Sequence, residues 1–317
     1  AEQGLLRAVE KCNGAGKCRS TLPTATMCPS YRATLDEKHN TRGRANVLRE
    51  VLSQNKQPNA FDSEELKAVF DLCLSCKACA TECPSSLDIA TYKAEFLYQY
   101  QKTNGSSLRD RMFAYFGKIN QFAQPFRGIQ NAVFSQNTAR KLVASFLGIN
   151  SKRSFPKLEK SLYKQLNNSR LRSKNRSVYL YLDEFSNYNE THIGKAAVAL
   201  LQGLGYQVLF LPPTESGRTY ISKGFLDQAK RCADRNVALY SELVTQDSPL
   251  LGIEPSAILT FQDEYPKLSS FSEASQRLAS NSMLVETFIA KEAEAGVIKS
   301  KHFHKDAKEI NIHAHCY

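Results

Sequence analysis

The sequence predicts two structural classes in one chain, a helical first part and an α/β second part built on a parallel sheet. Three observations support this α + α/β class. Helical segments flank two groups of closely spaced cysteines before residue 104. After residue 177, short apolar segments rich in β-branched and aromatic residues alternate with helical ones, as they do around a parallel sheet. A basic, polar stretch separates the two parts, and 317 residues suffice for two domains with a core each.

The second group of cysteines is the most informative stretch of the chain. Residues 73–83 read Cys-Leu-Ser-Cys-Lys-Ala-Cys-Ala-Thr-Glu-Cys and precede Pro84, which gives the spacing Cys-x2-Cys-x2-Cys-x3-Cys-Pro. Three thiolates at this spacing bind three irons of one cubane, and the cysteine before the proline ligates the other cluster in two-cluster ferredoxins. A zinc ribbon would separate its two Cys-x2-Cys pairs, and a disulfide framework needs an oxidising compartment, for which no signal segment is visible. The spacing therefore predicts iron–sulfur binding.

The first group of cysteines repeats this pattern with one ligand missing. The correspondence pairs Cys12 with Cys73, Ala15 with Cys76, Cys18 with Cys79, and Cys28-Pro29 with Cys83-Pro84. Crossed ligation then predicts centre A, formed by Cys28, Cys73, Cys76 and Cys79, and centre B, formed by Cys12, Cys18 and Cys83. Four cysteines suit a 4Fe–4S cluster. Three suit a 3Fe–4S cluster, a 4Fe–4S cluster with one non-cysteine ligand, or free thiols without a cluster.

Helices are predicted on both sides of the second cysteine group, over residues 41–52, from residue 62 or 63 to 72, and over 89–100. Thr41 is the expected N-cap of the first of these. Arg42 and Arg44 would then lie near a helix N-terminus, where the helix dipole disfavours cations. We expect them to contact an anionic cluster or a partner, with a solvated arginine pair as the alternative. Together these features predict an α-helical ferredoxin domain over residues 1–104.

The positive charge of the chain is concentrated in one stretch. The formal net charge is +11, yet residues 101–176 alone hold sixteen Lys and Arg against two acids, Asp110 and Glu159. Such a stretch favours an anionic surface, and its interleaved aromatic residues could lie on a membrane or pack on a neighbouring domain. No nucleic-acid motif accompanies the charge, so we do not expect nucleic-acid binding. Residues 105–176 are predicted to be a basic helical connector in a cytoplasmic protein, with peripheral contact to the inner face of the membrane as an option.

Residues 177–317 alternate predicted strands and helices. Strands are expected over residues 178–182, 206–211 and 250–253, with helices over 194–204 and from about 225 to 245. Polar residues gather at the carboxyl ends of parallel strands. The candidates at such positions are Asp183, Asn187, Glu215 and Glu254, together with His313, His315 and Cys316 near the end of the chain.

Several longer stretches resemble one family. Residues 7–18, 27–34, 41–46 and 72–85 resemble the C-terminal iron–sulfur half of FAD-linked 2-hydroxyacid dehydrogenases of the D-lactate, glycolate and D-2-hydroxyglutarate type. Residues 217–224, 252–256 and 313–316 are similar to the cysteine-rich CCG domains of heterodisulfide reductase and of the iron–sulfur subunit of anaerobic glycerol-3-phosphate dehydrogenase. The resemblance implies a truncated CCG-like domain over residues 177–317.

Three departures from the family pattern limit what the resemblance implies. Glu215 and Ser216 stand where paired cysteines are expected, and the sequence ends at Tyr317 where the family continues. No glycine-rich nucleotide loop is visible, so FAD is expected in a missing part or in a partner. A cluster in the α/β domain is not expected, because Cys316 lacks its usual partners.

The resemblance implies an electron-transfer function. Electrons would pass from flavin through the clusters to a quinone, a cytochrome or another carrier, which makes a flavin-binding domain or subunit and an electron acceptor the expected partners. The alternative is a partner-docking scaffold in which the cluster serves structure. No residue of this chain is predicted to be catalytic, and independent catalysis by Glu254, His313 and His315 is not expected.

Overall fold

The computed structural model describes residues 4–22, 25–54, 58–166, 176–304 and 309–312. Their contacts divide the chain into two compact units. The first unit holds the described residues up to Ser107 together with Ile221–Leu226, and the second holds Leu108–Tyr220 and the described residues from Asp227 onward. A helical first unit and a parallel sheet in the second confirm the predicted fold class. The domain boundaries at 104 and 176 stay predictions, and from Leu108 onward the basic stretch belongs to the second unit.

Helices and loops make up the described part of the first unit. Its α-helices are α1 (Gly4–Glu10), α2 (Pro29–Thr34), α3 (Thr41–Gln54), α4 (Glu64–Asp71), α5 (Ala78–Glu82) and α6 (Ile89–Asn104). Short 3-10 helices cover Lys17–Arg19 and Glu37–His39. Helices α4 and α6 begin where the sequence predicts, because the side chains of Ser63 and Asp88 accept hydrogen bonds from free backbone N–H groups of the first turn.

The start of α3 corrects one prediction. Thr41 is not the N-cap, since the side-chain oxygen of Asn40 accepts the hydrogen bond from the Gly43 N–H at 2.7 Å. Thr41 is the first residue of the helix instead, and its hydroxyl lies 3.1 Å from the sulfur of Cys28. Asn and Thr both cap helices well, so residue type alone does not decide between neighbours.

The apolar core of the first unit includes cysteines in its wall. Leu48, Leu66 and Phe96 are fully buried, and Phe96 stacks on Phe70 with ring centroids 5.4 Å apart. Three cysteines, Cys18, Cys28 and Cys79, are buried members of the same core. Close packing against these helices therefore positions the cysteine loops.

From Leu108 onward the chain forms helices and then alternates strands with helices. The α-helices are α7 (Leu108–Ala114), α8 (Phe116–Ala123), α9 (Arg127–Ser135), α10 (Asn137–Phe146), α11 (Leu162–Leu166), α12 (Thr191–Gly203), α13 (Arg218–Ser222), α14 (Leu226–Tyr240), α15 (Pro255–Asp263), α16 (Tyr265–Leu268), α17 (Ser272–Ser280) and α18 (Val285–Glu294). The strands are β1 (Ser177–Tyr181), β2 (Gln207–Leu209), β3 (Leu250–Gly252) and β4 (Ser282–Leu284), and 3-10 helices cover Gln124–Phe126 and Ser300–His302.

The strands of the described residues form one parallel sheet in the order β2-β1-β3-β4. Alternate residues of β1 face opposite layers, so that Val178 and Leu180 join one apolar core and Tyr181 joins the other. Strands β2 and β3 lie within the predicted segments, β1 begins one residue before its predicted segment, and β4 was not predicted. The chain passes from β1 to β2 on one side and to β3 on the other, which makes the carboxyl ends of β1 and β3 the switch point where ligands bind in such sheets.

Helices α8 and α9 present apolar side chains to solvent. An apolar stripe, spaced at three and four residues, consists of Ile119, Phe122, Phe126, Ile129 and Val133, all exposed, with Phe122 at 79%. Other aromatic residues of the stretch pack internally, as Phe116 does on Phe185 with centroids 5.5 Å apart. Within the described ranges, no helix is both long and apolar enough to cross a membrane.

Candidate iron–sulfur centres

The loop between α4 and α5 holds Cys73 and Cys76, and the first turn of α5 holds Cys79, so this stretch carries three of the four cysteines predicted for centre A. Ser75 and Lys77 flank Cys76 in this loop with φ of 54° and 57°, a left-handed conformation that is costly for residues other than glycine. Cys28 itself has φ of 52°. Strained backbone of this kind persists where the fold over-determines it and clusters at functional sites. Here it lets the chain turn tightly around its cysteines.

Cys28 lies close to this loop although 45 residues separate it from Cys73 in the sequence. Cys28, Cys73 and Cys79 contribute to the same apolar core, and burial raises the pKa of Cys79 to about 12, with the charges of Asp88, Cys73 and Cys28 acting in the same direction. Cys76 is half-buried in the same loop. Cys28 thus shares one apolar core with Cys73 and Cys79 of the second group, and crossed ligation stays a prediction.

Helix α3 directs hydrogen-bond donors and a cation at Cys28. The backbone N–H and the hydroxyl of Thr41 lie 3.2 and 3.1 Å from its sulfur. Arg44 is only 2% exposed and is held by bonds from Nε to the Val69 carbonyl at 3.1 Å and from Nη2 to the Ser30 hydroxyl at 3.0 Å. Burial raises the pKa of Cys28, while Thr41 and the positive charge of Arg44 lower it. These groups favour negative charge on the sulfur.

The three cysteines of centre B line one pocket. Cys12, Cys18 and Cys83 contribute to its wall, and its open space, including the solvent side, is about 260 Å³. Burial raises the pKa of Cys18, and the charges of Cys12 and Cys83 raise it further. Ala15, which occupies the position of the missing cysteine, lines the same pocket, as does Arg42.

The N-terminus of α3 serves both centres. The Thr41 N–H donates to the sulfur of Cys28 in centre A, and the Arg42 N–H donates to Cys18 in centre B. The first N–H groups of a helix have no partner within it, and the helix dipole favours anions there. The sequence placed Arg42 and Arg44 near an anionic site, but it did not indicate that the backbone of α3 supplies the donors.

Gly43 explains how α3 can lie so close to the 3-10 helix Glu37–His39. A Cβ at this position would fall on the backbone carbonyl of Glu37. Glu37 in turn accepts both bonds from Arg42 Nη2, at 2.8 and 2.7 Å, and pairs with Arg19 at 3.0 Å. Each residue of the run 41–44, Thr-Arg-Gly-Arg, therefore has its own role. The first contacts the Cys28 sulfur, and the second is a cation fixed by Glu37. The third permits the close backbone approach, and the fourth is a buried cation.

The cysteines suit a cluster better than a single ion. Among the described residues, no three His, Cys, Asp or Glu side chains converge closely enough to hold one metal ion. A cluster distributes its thiolates over several irons, so the sulfurs surround it without meeting at a point. The donor set, thiolates with amide and hydroxyl donors aimed at them, is the one that iron–sulfur clusters use.

The polar candidates in the α/β region already accept hydrogen bonds from other residues of the same unit. Asp183 accepts bonds from the Phe185 and Ser186 N–H groups at 2.7 and 2.9 Å, and Glu254 caps α15 through Ser256. Two further candidates, Asn187 and Glu215, accept bonds from Ser161 and Tyr220. His313, His315 and Cys316 lie outside the described residues.

Two groups in this region, the buried Glu184 and the half-buried Cys232, were not predicted. Burial and the neighbouring charge of Asp183 raise the pKa of Glu184 to about 7, and Ser216 donates to it from its N–H at 3.0 Å and its hydroxyl at 2.8 Å. Burial, with the charges of Glu215 and Glu184, raises the pKa of Cys232 to about 12. In the sequence, the acidic pair after β1 could have indicated Glu184, whereas no pattern around Cys232 distinguishes that cysteine from an ordinary one.

Comparison with known proteins bears on the first unit most directly. Residues 8–87 match the model of a family described as a 4Fe-4S dicluster domain. The chain is 25% identical to D-2-hydroxyglutarate dehydrogenase of Escherichia coli K12 over 304 residues, 82% of this chain and 30% of that protein. It is 26% identical to the enzyme of the same name from Pseudomonas putida, over 81% of this chain and 30% of that protein.

A shorter match reaches a second kind of protein. One subunit of the anaerobic glycerol-3-phosphate dehydrogenase of Escherichia coli K12 is 26% identical over 191 residues, 58% of this chain and 48% of that protein. The resemblance is confirmed. The chain carries an iron–sulfur domain related to those of oxidoreductases, and it spans about 30% of the length of the D-2-hydroxyglutarate dehydrogenases. No solved structure gives a significant match.

Proposed function

We propose that this chain is the iron–sulfur electron-transfer portion of an FAD-linked 2-hydroxyacid dehydrogenase. The observation that carries the proposal is the crossed approach of the two cysteine groups around the N-terminus of α3. Support comes from Cys28 and Cys79, which are buried in one core, and from Cys18 and Cys83, which line one pocket. Two neighbouring redox centres that share one helix end are suited to relay electrons.

In this proposal centre A, formed by Cys28, Cys73, Cys76 and Cys79, holds a 4Fe–4S cluster. The cluster supplies one-electron transfer, which complements the two-electron chemistry of a flavin bound elsewhere in the enzyme or in a partner. Thr41 and Arg44 would stabilise its negative charge. The buried side-chain nitrogen of Asn40, next in sequence to Thr41, finds no acceptor among the described residues, which suits a site that holds sulfide acceptors.

The test is anaerobic purification of the whole chain followed by iron and sulfide analysis and reduction with dithionite. We expect brown protein that bleaches on reduction and recovers on reoxidation. Cys76→Ser should remove about four irons per chain, as one cubane holds. The matched control Cys232→Ser, in the second unit, should leave the iron content unchanged. Unchanged iron and colour in Cys76→Ser would show that the ligand assignment is wrong.

A structural role for the cluster is the second candidate, and one observation favours it. Cys18, Cys28 and Cys79 belong to the apolar core of the first unit, so a cluster there would also hold the helices together. The two functions differ in redox behaviour. A cluster that resists dithionite while its removal unfolds the first unit supports the scaffold, and reversible bleaching supports electron transfer.

We also propose that the apolar stripe of α8 and α9 contacts an anionic lipid surface. Phe122 and Phe126 are exposed, and residues 108–147 carry six Lys and Arg against a single acid. An amphipathic helix with aromatic residues on one face and basic residues nearby lies in the interface of anionic bilayers. The excess of basic residues therefore favours an anionic lipid surface over a protein surface that carries few acidic residues.

Sedimentation with vesicles tests this contact. Phosphatidylglycerol vesicles at low salt should bind the chain, and pure phosphatidylcholine vesicles should bind it less. Phe122→Ser with Phe126→Ser should weaken binding by about tenfold or more, because two aromatic side chains lose their apolar contact. The exposed Leu243→Ser, remote from the stripe in sequence, is the control. Absence of binding to anionic vesicles at low salt would remove the proposal.

A further inference from the structure

We propose that centre B holds a 3Fe–4S cluster, and that Ala15 and Arg42 together exclude a fourth iron. The inference rests on the crossed ligation proposed above and goes beyond it, because three thiolates alone leave the cluster type open. A cubane has four iron positions, and the three cysteines of centre B can bind three of them. Whether a fourth iron is held depends on which residues face the remaining position, here called the open corner.

That corner offers no protein ligand for iron. Ala15 contributes only a methyl group to the pocket. Two other lining residues carry side-chain oxygen, and both are engaged: the Asn13 oxygen accepts from the Ala15 N–H at 3.1 Å, and the Thr41 hydroxyl lies against the Cys28 sulfur at 3.1 Å. No carboxylate lines the pocket in the described part of the chain. A 4Fe–4S cluster with a non-cysteine protein ligand is therefore disfavoured.

A nearby carboxylate is occupied as well. Both oxygens of Glu37 accept bonds from Arg42 Nη2, at 2.8 and 2.7 Å, and Arg19 pairs with the same carboxylate at 3.0 Å. To ligate iron, Glu37 would have to give up two arginine partners. Its role is to fix the guanidinium of Arg42 in place.

The charge at the site favours the smaller cluster. Arg42 and Lys17 line the same pocket as Cys12, Cys18 and Cys83, so two cations lie at the wall that these sulfurs share. Removing one iron from a cubane removes positive charge, so the remaining cluster with its three thiolates is more negative. A fixed cation stabilises this state and repels an incoming ferrous ion.

EPR spectroscopy and metal analysis of the whole 317-residue chain, purified without oxygen, test the inference. The oxidised protein should show the signal of a 3Fe–4S cluster, and the chain should hold about seven irons, four in centre A and three in centre B. After incubation with ferrous iron and a thiol reductant, and then reoxidation, the signal should return at its original intensity, which separates a native three-iron centre from an oxygen-damaged cubane.

Ala15→Cys is the decisive variant because it restores the Cys-x2-Cys-x2-Cys spacing. The oxidised-state signal should disappear, iron should rise to about eight per chain, and a second 4Fe–4S signal should appear on reduction. Ala15→Ser, which adds a small polar group without a thiol, should retain the three-iron signal. Arg42→Gln should let part of centre B take up a fourth iron during incubation with ferrous iron.

The outcomes separate this inference from the proposed function. Eight irons and no 3Fe–4S signal in the wild-type chain would overturn the inference and leave electron transfer through centre A intact. A reduced-state signal from centre A with no iron in centre B would overturn it as well. Loss of both signals in folded protein would overturn the proposed function itself.

Discussion

Buried polar groups have different kinds of hydrogen-bond partner in the two units. In the first unit the N–H and hydroxyl of Thr41 and the cation of Arg44 are directed at the sulfur of Cys28. In the second unit the carboxylates at the sheet edge are satisfied by their own neighbours, as Asp183 is by Ser186 and Glu184 is by Ser216. Donors that converge on thiols indicate a site for an anionic cofactor, whereas carboxylates whose hydrogen bonds are made within their own unit stabilise the fold.

This contrast also locates the chemistry. The switch point of a parallel sheet is where a ligand is expected, and acidic residues do lie there. Their hydrogen bonds are nevertheless internal, and Glu215 and Ser216 occupy the positions at which the family resemblance expects paired cysteines. The proposed function therefore assigns the redox chemistry to the first unit, and the described carboxylates of the α/β region to its structure.

The largest expected effect comes from removing the ligand that crosses between the cysteine groups. Cys28→Ser should abolish the cluster of centre A, with loss of about four irons per chain. The first unit should also become less stable, because Cys28 is part of its core and the cluster joins α2 to the loop after α4. Iron analysis and denaturation of anaerobic protein measure both effects. Cys232→Ser is the control, and equal iron loss there would contradict the contrast between the units.

The close approach at Gly43 gives the next effect. Gly43→Ala places a Cβ on the Glu37 carbonyl, so α3 must shift and the unfolding free energy of the first unit should fall by about 1–3 kcal/mol. Gly128→Ala in α9 is the matched control, since a Cβ there meets nothing within 4 Å. That variant should be stabilised by about 0.5–1 kcal/mol, because alanine favours helices. Similar destabilisation in both variants would show that the approach at Gly43 is unimportant.

The second unit should show a pH dependence of its own. Burial raises the pKa of Glu184 to about 7 from its ordinary value of 4.5, so the folded state binds this proton more tightly than the unfolded state. Stability is then fully present at low pH and declines as pH rises through the folded pKa, by about 1–3 kcal/mol. Hydrogen-exchange protection of β1, corrected for intrinsic rates, measures this change between pH 5 and 8.

Glu184→Gln sharpens the same prediction. The amide remains neutral at every pH, and the Ser216 hydroxyl can accept from it, so the decline in protection should flatten. The exposed Glu190→Gln is the control and should keep the wild-type profile. A profile that remains steep in Glu184→Gln would assign the pH dependence to another group.

The sequence predicted what depends on local spacing. The helix expected from residue 62 or 63 begins at Glu64, directly after the N-cap Ser63, and the predicted cysteine group follows it. The sequence-based prediction failed where contacts between distant parts of the chain determine the structure. The three-residue strand β4 is too short to show alternation, and an arginine as buried as Arg44 departs from the usual preference of its type. The contact between Thr41 and Cys28 depends on how two separate segments of the chain pack together. No local sequence pattern predicts that packing.

The smallest expected effect tests that contact alone. Thr41→Val removes the hydroxyl that lies 3.1 Å from the Cys28 sulfur and keeps the backbone N–H and the side-chain shape. Reduction adds negative charge to a cluster, so a lost donor should make the reduction potential of centre A more negative, by a difference of about 1 kcal/mol between the redox states. An EPR-monitored redox titration measures the shift, and Thr41→Ser should preserve the wild-type potential. If valine leaves the potential unchanged while the cluster is intact, the donors at the start of α3 hold the loop in place and do not tune the cluster.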